Sequence, residues 1–159
     1  MTEIENPKTL EEQRRFVEQA LQQAETFRKK KKYKEGIELL VDALQYDLEK
    51  AKIYFRLGNI YFDGDDLARA EYAYKRALDT DSFYVNAMHN LSLVYKKQKK
   101  MSQYIKTYKK SQKMAIRHPQ KSELSEDQKK ATRRLARNIF LFGVAVIGVI
   151  ILIVYLVLR

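Results

Sequence analysis

Three consecutive stretches of this chain, residues 17–50, 51–84 and 85–118, carry one pattern of large and small side chains in the same register, without a gap. A fixed period of that length permits few folds. Each copy must be one supersecondary unit that buries its apolar face against the next copy. The middle copy shows the pattern most fully. Tyr54, Leu57, Gly58 and Tyr61 share one face of a helical stretch, and Ala70, Tyr74 and Ala77 share a face of the following one. Gly58 lets one helix backbone approach another, and the bulky side chains around it fill the space beside that contact. One period upstream, Ala24 stands for Gly58, Phe27 for Tyr61, Gly36 for Ala70, Leu40 for Tyr74 and Ala43 for Ala77. One period downstream the matching residues are Leu91, Ser92, Tyr95, Tyr108 and Ser111. Gln23 replaces the large apolar residue of the first copy, and Tyr104 replaces the small residue of the third.

This order of bulky, small and aromatic residues resembles the tetratricopeptide repeat, whose period is about 34 residues. The resemblance covers residues 17–118, although the family's closing proline is replaced by Leu48, Ser82 and Ile116. It implies an all-α fold, an α-solenoid of three helical hairpins. The first helix of each hairpin would line a concave groove for a peptide or a partner protein.

The flanking sequence divides cleanly. Residues 1–8 read as a mobile leader broken by Pro7, with no apolar core of a signal peptide. Residues 9–118 form the repeat domain. Thr9 with Glu12 makes a capping box for a first helix expected to run to about Lys31, with Phe16, Ala20, Gln23, Ala24 and Phe27 on one face. The basic run Arg28 to Lys32 suits the negative end of that helix dipole. Tyr33 then opens a second helix with Gly36, Ile37, Leu40, Ala43 and Leu44 inward.

After Pro119, residues 119–137 read as a polar hinge and a basic helix, with Ser125 and Gln128 as a second capping box. Residues 138–159 complete the chain. From Ile139 to Leu158 no residue is charged, and a helix of that length spans roughly 30 Å, the thickness of a bilayer core. A buried core helix would need partner surface on every side, which three small repeats do not offer. The expectation is a C-terminal single transmembrane helix. Lys129, Lys130, Arg133, Arg134 and Arg137 precede it and only Arg159 follows, so the positive-inside bias sets the repeats on the cytoplasmic side. The arrangement looks like that of a tail-anchored, single-pass membrane protein. A bacterial inner membrane is favoured, and a mitochondrial outer membrane allows the same topology. Gly143 and Gly148 do not have the spacing of the common small-residue dimer motif, so oligomerisation through this helix stays open.

Charge sharpens this division. Residues 1–50 and 51–84 each carry one more acid than base, whereas residues 85–118 carry nine bases and no acid. Lys106, Lys109, Lys110 and Lys113 fall on the outer side of the last repeat helix. They form either a solvated face or, with the juxtamembrane bases, a contact with an anionic bilayer. Nucleic acid is not expected, because base-stacking motifs and recognised readout folds are lacking.

Catalysis is not expected either. The chain has no cysteine, two histidines and no phosphate-cradling glycine loop, so neither an enzyme nor a cofactor is implied. The DGDD turn at residues 63–66 lacks the later ligands of a calcium loop and reads as a helix–helix turn with Asp66 as N-cap. His118 reads as a turn residue. The family resemblance directs attention to the groove. Leu21, Gln22 and Glu25 would line it in the first copy; Lys52, Phe55, Arg56, Asn59 and Phe62 in the second; Asn86, His89, Asn90 and Leu93 in the third. Some members of the family clamp a chaperone's terminal carboxylate at such positions, but neither register of that clamp is complete here. Phe55 and Phe62 are either apolar anchors for a ligand or inter-repeat packing. The implied function is a membrane-anchored adaptor for a cytoplasmic protein or peptide. The alternatives are a targeting or chaperone-client receptor and a structural subunit of a larger membrane complex.

Overall fold

The computed structural model describes residues 9–118 and 133–143, all of them helix or short turns. In the first segment α1 (Leu10–Lys29), α2 (Tyr33–Leu44), α3 (Lys50–Asp63), α4 (Leu67–Thr80), α5 (Val85–Lys97) and α6 (Met101–Arg117) follow one another. Each helix packs on the next, α1 also touches α3, and α3 touches α5. That is the neighbour-only contact pattern of a solenoid.

The 34-residue period is visible in the backbone itself. α1, α3 and α5 end at Lys29, Asp63 and Lys97, and their partners begin at Tyr33, Leu67 and Met101. Between them Lys31, Asp65 and Lys99 take φ of 58°, 60° and 60°. Each hairpin therefore turns on the same left-handed residue, and in no copy is that residue glycine. A side chain costs about 1–2 kcal/mol there. This explains why α1 ends at Lys29 and not at about Lys31 as the sequence suggested: the turn needs Lys31 outside the helix.

The helix starts are built locally. The Thr9 amide donates to Glu12 Oε2 at 2.9 Å, and the Glu12 amide donates to Thr9 Oγ1 at 3.2 Å, completing the expected capping box. Asp66 Oδ1 accepts the Arg69 amide at 2.9 Å, so the DGDD turn caps α4.

The small residues mark where helices touch. Ala24 and Ser92 are fully buried at the positions equivalent to Gly58. Buried Ser92 and Ser111 donate their hydroxyls to the carbonyls of His89 and Tyr108 on their own helices, at 2.6 and 2.8 Å, so neither is left unpaired. One apolar cluster joins Val17, Ala20, Ala24, Leu40, Ala43, Ile53, Leu57 and Ile60, and a second joins Ala70, Tyr74, Ala77, Ala87, Leu91, Val94 and Tyr95. Tyr54 and Tyr61 pack against both clusters and make the core continuous. One inward residue of α1 differs from expectation. Gln23 is exposed, and Val17 is buried in the core one turn and a half earlier. Val17 lies about 240° round the helix from position 23, and Gln23 stays in water with its exposed neighbours Gln19 and Gln22 while Ala20 and Ala24 make the helix contact.

Residues 133–143 lie in a separate unit of the chain, residues 121–159, and form one helical stretch with Arg133, Arg134 and Arg137 exposed. Among the described residues no helix is long and apolar enough to cross a membrane. The leader 1–8, the Ser125–Gln128 cap, Lys129, Lys130 and residues 144–158 of the expected span lie outside the described residues.

Candidate peptide-binding groove

The first helices of the three hairpins, α1, α3 and α5, bring their polar positions together along one side of the solenoid. A cavity of about 260 Å³ opens there, lined by Arg28, Asn59, Phe62, Asp63, Tyr74, Asn90 and Leu93. Two hydrogen-bonded systems shape it.

The first system is ionic and ties α1 to α3. Glu25 accepts Arg28 Nη2 at 2.8 Å and Nε at 3.0 Å, a two-pronged pair within α1, and also accepts Arg56 Nη1 from α3 at 3.0 Å. Arg28 reaches on to the Asp63 carboxylate. Burial alone would raise the pKa of Glu25, but the hydrogen bonds from Arg28 and the charges of Arg56 and Arg28 outweigh it and leave the carboxyl below its usual 4.5. The partnership with Glu25, opposed by burial and helped by Asp63, raises Arg28 further above its ordinary range. Two bases and two acids thus neutralise one another on this wall.

The second system is neutral and ties α3, α4 and α5. The Tyr74 hydroxyl donates to Asn59 Oδ1 at 2.8 Å, and Asn90 Nδ2 donates to the same oxygen at 2.9 Å. Tyr74 is 1 % exposed, and burial pushes its hydroxyl well above the ordinary tyrosine range. The phenol is therefore a fixed neutral donor that orients the Asn59 carboxamide. Phe62 and Leu93 supply the apolar part of the wall, with Lys97 4.6 Å from the Phe62 ring centroid and 3.0 Å from Asp65.

Of the residues that the sequence assigned to the groove, Asn59, Phe62, Asn90 and Leu93 line this cavity, and Arg56 stands beside it through Glu25. Phe55 sits edge-on to Tyr84, with ring centroids 5.1 Å apart, and 6.0 Å from Tyr74. Phe55 also packs against the second apolar cluster, which includes Ala87, Leu91, Val94 and Tyr95 of the third copy, so the inter-repeat packing alternative describes it better than a free anchor does. His89 has its ring 5.9 Å from Tyr108 of α6 and does not line the cavity. Lys52 is exposed and pairs with Glu49 at 3.0 Å, while Asn86 is exposed at the start of α5. Arg28 and Asp63 were missed. The sequence places Arg28 in a basic run that suits a helix end, yet Glu25 and Arg28 are spaced to pair on one helix face, and that spacing is a usable signal. Among the described residues no cluster of His, Asp and Glu is suited to a metal ion.

A protein-family model described as tetratricopeptide repeat matches residues 51–84 and 85–115. A search of curated proteins finds no significant match. Among solved structures, the chain is similar to the first TPR domain of the human RPAP3 protein, determined by NMR. The TM-score is 0.60 and the identity 18 %, over 77 % of this chain and 94 % of that one. At this identity the likeness is one of fold. The two matched hairpins are thus similar to tetratricopeptide repeats, and residues 17–50 fold as a third hairpin that turns on the same left-handed residue.

Proposed function

We propose that this protein is a membrane-anchored adaptor that holds a short, extended segment of a cytoplasmic protein in the groove between α3 and α5. The observation that carries the reading is the Asn59–Asn90 pair beside an open cavity. Fixed carboxamides suit a peptide backbone, which presents both donors and acceptors, and Phe62 and Leu93 suit an apolar side chain between them. A terminal carboxylate is a poorer ligand. Arg28 and Arg56 are already neutralised by Glu25 and Asp63, so an incoming anion would have to break those pairs. This weighs against a receptor for chaperone tails.

Support for the membrane anchor comes from the uncharged run 139–158, and support for the cytoplasmic side from the five bases directly before it. A photoreactive residue replacing Asn90 or Phe62 in native membranes tests the groove. It should crosslink to one discrete protein, and an Asn59→Ala change should abolish the product. Crosslinks that appear only from the exposed α6 surface, with none from the groove, would refute this use of it.

A further inference from the structure

α6 carries a surface that the groove does not use. With about 100° of turn per residue, Met101, Ile105, Tyr108, Ala115 and Ile116 fall within roughly 100° of its circumference, with Gln112 the polar residue among them. Met101 is 50 % exposed, Ile105 48 % and Ile116 83 %. In α4 the residues one period earlier, Leu67, Tyr74 and Leu78, pack into the cluster that holds α5. Tyr74 is 1 % exposed there, whereas its counterpart Tyr108 is 37 % exposed. At Met101 and Tyr108, α6 thus presents to the outside what its predecessor packs, while Ile105 and Ile116, which replace Glu71 and Ser82 of the preceding period, extend the apolar stripe. The arc beside this stripe holds Lys106, Lys109, Lys110, Lys113 and Arg117, all exposed and none in an ion pair among the described residues. Lys97 and Lys100, at the turn before α6, do find partners in Asp65 and Glu71. Cations without an ion pair also stand at Arg14, at Lys29 to Lys31 and at Lys96 and Lys99, but in α6 five of them lie on one arc directly beside an exposed apolar stripe.

We infer that α6 lies on the bilayer surface, with Met101, Ile105, Tyr108 and Ile116 in the headgroup–acyl boundary and the five cations on anionic headgroups. An apolar stripe flanked by cations is the surface an interfacial helix needs. A second copy of the chain fits poorly, because facing α6 helices would crowd ten cations, with no acid in residues 85–118 to offset them. A bilayer is also the surface kept at high effective concentration by the uncharged run 139–158. In that respect the inference rests on the anchor proposed above. Its consequence is a defined orientation: the third repeat sits on the membrane, and the groove formed by α1, α3 and α5 stays open to the cytoplasm.

The absence of cysteine makes the test direct. Full-length Ile105→Cys, Ile116→Cys and Gln103→Cys chains carry an environment-sensitive fluorophore at the new thiol and are reconstituted into vesicles. The vesicles are phosphatidylcholine alone or mixed with phosphatidylserine, with or without a lipid-borne quencher. In the mixed vesicles the first two labels should shift to the blue and be quenched several-fold more than the third. The difference should shrink with salt, in neutral vesicles, and when Lys106, Lys109, Lys110 and Lys113 are all changed to Glu. These four side chains are exposed, and a thermal melt checks that the variant is folded. If the chain survives an alkaline wash of the vesicles but all three labels are quenched alike or not at all, the α6 inference is overturned and the anchor stands. A blue shift without lipid quenching that grows with protein density identifies a second copy, or an acidic protein if one is added, and also overturns it. A chain removed by the wash refutes the anchor, and with it the inference that rests on it.

Discussion

Gly58 of α3 faces the buried Tyr74 ring of α4, and a single methyl group there tests the packing argument. A β-carbon at Gly58 would stand 2.5 Å from Cε1, 2.6 Å from Cδ1 and 3.0 Å from Cζ of Tyr74. Carbon pairs rest at about 3.5–4.0 Å, so the overlap is on the order of 1 Å against a ring. The ring has no room to yield. Tyr74 is 1 % exposed, its hydroxyl is held by Asn59 at 2.8 Å, and Phe55 flanks it. Overpacking of this kind costs about 1–3 kcal/mol, and replacing a helical glycine by alanine returns about 1 kcal/mol. The clash wins because the ring is pinned on two sides. With the clash at the upper part of that range, about 2–3 kcal/mol, the net loss expected for Gly58→Ala is about 1–2 kcal/mol, a fall in Tm of several degrees.

Two internal controls make the reasoning specific. At Gly36 the nearest contact is 3.0 Å to Ile60 Cδ1, the free end of a flexible side chain, so Gly36→Ala should cost less. At Gly64 the nearest atom is 3.4 Å away and φ is −79°, which alanine adopts freely, so Gly64→Ala should be near neutral. Urea unfolding of the full chain in non-ionic detergent, followed by far-UV circular dichroism, gives the order. A Gly58→Ala chain as stable as the parent, or a Gly64→Ala chain less stable than it, would refute the argument. The double change Gly58→Ala with Tyr74→Leu should cost less than the two single losses added together, because the second removes the ring that the first strikes.

Other consequences follow from the turns and the groove. Lys31→Gly should raise stability by about 0.5–1 kcal/mol in the same assay, because glycine adopts the left-handed turn without the side-chain penalty, and a fall would count against that account. Asn59→Ala should cost about 1–3 kcal/mol by stranding the buried Tyr74 hydroxyl, while Asn90→Ala leaves that bond intact and should cost less; equal losses would contradict the network. Because the Glu25 carboxyl lies below 4.5 in the folded chain, its stabilising contribution is complete above that pH and is lost as pH falls through its folded value. Urea midpoints measured from pH 6 downward, on the order of a few pH units, should therefore fall less steeply for Glu25→Gln than for the parent, and identical slopes would refute the assignment.

Much of the fold was legible because a solenoid is specified by local rules repeated at one period. Gly58, Ala24 and Ser92 announced the helix crossings, Thr9–Glu12 and Asp66 announced helix starts, and each acts within a few residues of itself or one repeat away. Asn59, Phe62 and Asn90 were likewise assigned to the groove by their register in the repeat. What the sequence left open was the state of the groove side chains. Arg56 reads only as a groove residue until Glu25 is found 3.0 Å away, and Phe55 reads equally as an anchor or as packing until Tyr84 is found against its ring. Helical period sets the direction in which a side chain leaves its own helix, and so determined which residues face one another. Whether a charge is neutralised, a ring covered or the α6 stripe left bare depends on a second helix about one repeat away, and only the tertiary structure brings that helix into place.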